Sequence, residues 1–285
     1  MQFVNVTGGV DSPVAARGWL FGAILAILTA LVIIGGIKSI ARVTSRLVPF
    51  MALLYVATAL IVIGANYAAI PAAIVAIVSN AFRPEGVAGG MIAVLILGFR
   101  RAAFSNEAGI GSSAIAHSAV RTGEPLTQGF VAMLEPFIDT IVICTLTSLV
   151  IILTVYDPAM LNDGTISGVE LTSSAFASVL PWFPYVLAVV VMLFAYSTMI
   201  SWSYYGLAGF IYIFGPKRRA RLTFNSIFCL FIIVGCTTQL DAVLDFSDAM
   251  IFAMALANVT ALYLLAPVVR KDLDAYWQRR PSSKR

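Results

Sequence analysis

Residues able to do chemistry are scarce in this chain, and many of them stand together in 98–112, Gly-Phe-Arg-Arg-Ala-Ala-Phe-Ser-Asn-Glu-Ala-Gly-Ile-Gly-Ser, between two apolar runs. Arg100, Arg101 and Glu107 bring charge, and Ser105 and Asn106 bring short side chains that bind backbone or ligand. Gly109 and Gly111 permit positive φ and close backbone approach. At membrane depth a backbone group without a partner is costly, so such a segment is tolerated only where it is buried in protein or lines a watery cavity. The stretch therefore predicts a discontinuous helix over 88–120 with a binding site at its break. The exposed end of the second half would carry about half a positive unit charge, suited to a carboxylate. A helix merely kinked for packing uses small residues but has no need of contiguous polar ones. Arg100 and Arg101 either pair with Glu107 or an acid of the next span, or extend along their stems to the interface.

Two further groups qualify. Glu135 and Asp139 are four apart and share a helix face, with Thr140 beside them; they could coordinate a cation or relay protons, unless Glu135 lies in the interfacial turn at Pro136 and Asp139 alone is deep. In 195–206, Ser197 or Thr198 shares a face with Ser201, near Trp202 and Tyr205. These hydroxyls suit either a small monovalent cation or hydrogen bonding between helices. His117 is the single histidine, which excludes a multi-histidine metal site. Cys144, Cys229 and Cys236 lie in apolar segments with no disulfide or metal spacing and read as small fillers. With no nucleophile or metal set beside a base, the chain is not expected to be an enzyme.

These residues must be positioned by membrane helices. Of 285 residues, 60% are hydrophobic and 11% charged, against about 25% charged in soluble domains, and the mean hydropathy is +0.94. Charge-free runs cover 18–37, 47–70, 171–215, 222–240 and 249–269, and a span needs about 20 residues. The net charge of +4 sits in a few short segments, which fits topology rather than nucleic-acid binding. No secretory leader is read in 1–17.

In chain order, span one covers 18–37, and a cytoplasmic loop holds Lys38, Arg42 and Arg46. Span two runs from Leu47 to about Tyr67 with Pro49 in its first turn. An interfacial or re-entrant piece at 69–81 precedes a turn at 83–86. Span three enters from outside and breaks near the midplane; span four covers roughly 126–156 and leads to an acidic outer loop. Pro181 and Pro184 divide 171–215 into a short external helix and span five, which ends before Lys217, Arg218, Arg219 and Arg221. Span six (222–238), an outer loop with Asp241, Asp245 and Asp248, span seven (249–269) and a basic tail complete seven spans, with the N-terminus outside and the C-terminus cytoplasmic.

The stretch 101–119 (Arg-Ala-Ala-Phe-Ser-Asn-Glu-Ala-Gly-Ile-Gly-Ser-Ser-Ala-Ile-Ala-His-Ser-Ala), followed by 137–145 (Phe-Ile-Asp-Thr-Ile-Val-Ile-Cys-Thr), resembles the bacterial alanine or glycine:cation symporter family. Supporting matches are 35–42, 47–52, Gln128-Gly129, 201–206 (Ser-Trp-Ser-Tyr-Tyr-Gly) and Asn258, so the likeness covers nearly the whole chain. The resemblance implies sodium-coupled uptake of alanine or glycine at the bacterial inner membrane. It implies an all-α, partial inverted five-helix-repeat fold of the leucine-transporter type. Residues 1–86 would hold the last two helices of the first repeat and the re-entrant piece, 87–269 the second repeat, and 270–285 a cytoplasmic tail. It implies Phe104, Ser105, Asn106, Gly109, Thr198 and Trp202 as substrate contacts, and Ser197, Thr198 and Ser201 as sodium ligands, with Asp139 a further candidate. On this reading the chain is the C-terminal portion of the transporter; the alternative is a non-transporting membrane protein or a regulatory partner of a full-length carrier.

Overall fold

A computed structural model describes residues 17–81, 91–155, 168–238 and 240–279. The described residues form helices and turns, with no strand among them. In chain order the helices are α1 (Gly18–Ile33), α2 (Gly36–Ala65), α3 (Ile70–Ala81), α4 (Met91–Asn106), α5 (Ser112–Ser118), α6 (Pro125–Thr154), α7 (Val169–Ala177), α8 (Phe183–Phe214), α9 (Arg218–Gly235) and α10 (Leu240–Arg279). Among the described residues four segments are long and apolar enough to cross a membrane by themselves: Gly36–Ala65, Pro125–Thr154, Phe183–Phe214 and Val243–Arg279. Large side chains such as Leu31, Leu53, Tyr212, Leu256 and Tyr263 are exposed, as lipid contact requires and water would penalise. The chain is a multi-pass membrane protein.

Several boundaries differ from the expectation. The stretch 38–46 is not a loop: α2 starts at Gly36, so Lys38, Arg42 and Arg46 ride on its first turns and Pro49 lies in its interior. Nothing in 38–46 breaks a helix, and long basic stems can carry charge from a helix end to water. Asp245 and Asp248 likewise stand on the first turns of α10 rather than in a loop, and 270–279 continues that helix instead of forming a tail. Arg218, Arg219 and Arg221 open α9. The division at Pro181 and Pro184 is as expected: α7 ends at Ala177, and Pro184 enters the first turn of α8, where its missing N–H costs nothing. The turn expected at 83–86, most of the loop after span four and the end of the tail lie outside the described residues.

Two compact units emerge, the first from the described residues within Met1–Ile92 and Ile143–Gln239, the second from those within Ala93–Val142 and Leu240–Arg285. The first unit has an apolar core of Ala59, Val62, Val150, Ala175, Phe176, Phe183 and Leu187. The Phe176 and Phe183 rings pack at 4.7 Å, and the Tyr55 and Thr147 hydroxyls share a 2.6 Å hydrogen bond beside them. Elsewhere in this unit α1 lies against α9 through Gly18, Gly22 and Ala26, four apart. A Cβ on Gly22 would stand 3.0 Å from the Ile233 Cα, and the Ala26 carbonyl accepts from the Cys229 thiol at 3.8 Å. Small residues at this spacing let two backbones approach, which is how helices associate in lipid.

Candidate functional site

The second unit holds the broken helix. Helix α4 is described from Met91 to Asn106. It stops at Asn106, and α5 starts at Ser112. Between them Glu107, Gly109 and Gly111 have φ of +55°, +85° and +98°. Alternating left-handed residues cannot propagate a helix, so the glycines dictate the interruption that their spacing suggested.

The break is an ordered turn. The Asn106 Oδ1 accepts from the Ala108 N–H at 2.9 Å, and the Ile110 N–H donates to the Glu107 carbonyl at 3.4 Å. Buried Ser112 donates its hydroxyl to the Glu107 carboxylate, tying the start of α5 back to the one non-glycine residue with positive φ among the described residues. Such a residue stores strain and persists where its surroundings over-determine it.

Helix α6 faces the break with polar groups. Asn106 Nδ2 donates to Thr140 Oγ1 at 3.0 Å, and the Ser105 hydroxyl donates to the Asp139 carboxylate. Both acceptors lie in a π-helical stretch, Phe137–Cys144. Pro136 explains it: with no N–H, it cannot donate to the carbonyl of Ala132, where the preceding α-helical segment ends. A π turn inside an α-helix frequently marks a functional position.

Glu135 and Asp139 do not form one joint site. Asp139 binds Ser105, whereas Glu135 lies 3.3 Å from His117 Nε2. His117 Nδ1 accepts from Gln128 Nε2 at 2.7 Å, so in the neutral ring Nε2 carries the hydrogen that faces Glu135. The lone histidine thus fastens α5 to the start of α6, a role its sequence position gave no sign of.

Arg100 and Arg101 do not pair with Glu107. Both bind the buried Asp248 of α10, Arg101 at 3.1 Å, and Arg100 also approaches Asp245 at 3.8 Å. The Arg101 guanidinium lies 5.6 Å from the centre of the Phe104 ring, within cation–π reach. Ten residues beyond Asp248, Asn258 Nδ2 donates to the Gly109 carbonyl at 2.9 Å. Sequence reasoning missed Asp248, which charge alone assigned to a loop, and gave Asn258 no role beyond a family match.

Thr198, Trp202, Ser197 and Ser201 stand on α8 in the first unit. Ser197 is buried and donates to the Phe194 carbonyl at 2.8 Å. Thr198 is exposed and Ser201 half-buried. Trp202 packs edge-on to Tyr205 at 5.8 Å. Ser197 and Thr198, adjacent in sequence, thus differ in burial.

The chain matches the sodium:alanine symporter family over residues 1–285. It is 37% identical to the sodium/alanine symporter AgcS of Methanococcus maripaludis, over 97% of this chain and 60% of AgcS. It is 32% identical to the amino-acid carrier protein AlsT of Bacillus subtilis, over 98% of this chain and 59% of AlsT. A third relative, named "Probable sodium/glutamine symporter GlnT" in Bacillus subtilis, is 32% identical over 92% of this chain and 54% of its own length. The chain thus spans about three fifths of the length of the curated relatives it matches. A match along the whole chain, on a membrane protein whose polar residues gather at a helix break, leads to one assignment: the chain belongs to the sodium:alanine symporter family, a family of transporters and not of enzymes.

Proposed function

We propose that this chain forms part of a carrier that couples movement of a small neutral amino acid, alanine or glycine, to sodium across the cytoplasmic membrane. The observation that carries the reading is Asn106 at the end of α4. Its amide spends one N–H on Thr140 and one lone pair on Ala108, which leaves one donor and one acceptor. That pair matches the carboxylate and ammonium of an amino acid. Phe104, Ser105 and Gly109 flank Asn106 as further substrate contacts, and Thr198 and Trp202 are the contacts proposed from α8.

Sodium is the proposed coupling ion, with Ser197, Thr198 and Ser201 as its ligands and Asp139 in support. A hydroxyl that donates its hydrogen, as Ser197 does to Phe194, keeps its lone pairs for a cation. The proposed topology has seven crossings, the N-terminus outside and the C-terminus cytoplasmic, because the basic residues cluster near 38–46, 217–221 and 270–285. Residues 87–269 are proposed as one five-helix repeat, with 1–86 contributing the end of another.

The test is uptake of labelled alanine by the native polypeptide carrying this sequence in proteoliposomes. An inward sodium gradient should drive accumulation, and Ser197→Ala with Thr198→Ala should weaken the sodium dependence. Uptake indifferent to sodium would sink the coupling claim, and no uptake of alanine or glycine would sink the substrate claim.

A further inference from the structure

Helix α10 supplies none of the residues assigned to substrate or cation, yet it grips the broken helix at two points. Asp248 holds the end of α4 through Arg100 and Arg101. Asn258, about 15 Å further along α10 by helical rise, reaches the break itself.

The contact at Asn258 is specific. The peptide joining Gly109 to Ile110 is fixed from both sides, its carbonyl by Asn258 at 2.9 Å and its N–H by the Glu107 carbonyl at 3.4 Å. Two residues on, a Cβ built on Gly111 would lie 3.3 Å from both Cγ and Oδ1 of Asn258, so the side chain also packs against the second glycine. The turn between α4 and α5 contains three residues of positive φ and has no helical ladder to hold it. One cross-helix hydrogen bond adds modestly to the stability of a whole membrane protein, but at an unladdered turn it selects one peptide orientation among several.

We propose that Asn258 is a positioning residue, whose amide fixes the Gly109–Ile110 peptide and thereby the geometry in which Asn106 meets a small amino acid. The ligand in this statement rests on the function proposed above; the fixing of the peptide does not.

The experiment compares Asn258→Leu, which keeps similar bulk without a donor, and Asn258→Ala with the unaltered protein. Two readouts are used: amide hydrogen exchange over 107–112 and the KM for alanine. Both variants should raise exchange in 107–112 about tenfold while leaving 197–206 unchanged. They should raise KM about tenfold, equivalent to about 1.4 kcal/mol, with the maximal rate and melting temperature retained. If Asn258→Ala does not fold, Asn258→Leu decides. Unaltered exchange in Asn258→Leu, or faster exchange throughout the chain with a lowered melting temperature, overturns the inference. If the unaltered protein does not take up alanine, the proposed function fails, and the exchange measurement still decides the role of Asn258.

Discussion

Replacing Asp248 by Asn should be among the more damaging single changes in the second unit. The Asp248 side chain is 4% exposed, and its Oδ2 serves both Arg100 and Arg101. Its Oδ1 is buried with no hydrogen-bond partner among the described residues, so the arginines are its compensation. Breaking a buried ion pair from one side costs about 3–5 kcal/mol. The Arg100 and Arg101 side chains are 32% and 46% exposed, so water recovers part of that loss, and about 2–3 kcal/mol is the expected cost. At roughly 2–4 °C per kcal/mol for a chain of this size, the melting temperature in detergent should fall by roughly 5–10 °C. The control is Asp245→Asn, a few residues away, 82% exposed and 3.8 Å from Arg100, for which about 0–1 kcal/mol is expected. Equal shifts for the two variants would refute the reasoning, because it assigns the effect to burial and not to the number of acids near the arginines.

Gly111→Ala places a Cβ on a residue at φ +98° and against Asn258, so it should lower the melting temperature through a cost of about 1–3 kcal/mol and speed exchange in the break. Gly22→Ala forces α1 and α9 apart, since the new Cβ would stand 3.0 Å from the Ile233 Cα; a loss of about 1–3 kcal/mol should appear in thermal unfolding. Tyr55→Phe removes the 2.6 Å hydrogen bond to Thr147 in the first unit and should cost about 1 kcal/mol, with no change in exchange over 107–112.

The break was legible because its determinants are local: Gly109 and Gly111 permit positive φ wherever they occur, and the polar run beside them has no use on a lipid face. The division at Pro181 and Pro184 was legible for the same reason. Boundaries inferred from charge alone were displaced. Lys38, Arg42 and Arg46 and the acids at 245 and 248 mark where a helix meets polar surroundings, not where its hydrogen bonding stops, and no Gly or Pro stands there to stop it. Partners distant in sequence were not legible. The pairing of Arg100 and Arg101 with Asp248, and of Asn258 with Gly109, joins residues about 150 apart and depends on how α10 lies against α4. One signal was available and unused: Gly18, Gly22 and Ala26 at four-residue spacing announce a close helix contact from sequence alone.

The most direct test of the account is equilibrium binding of alanine in sodium buffer to the native polypeptide and to its Asn106→Ala variant. Removing hydrogen bonds to charged ligand groups costs about 1.5–3 kcal/mol, so Kd should rise by roughly ten- to a hundredfold, with the Tyr55–Thr147 region undisturbed. Unchanged affinity in the variant would contradict the claim that the interrupted helix is where the substrate is held.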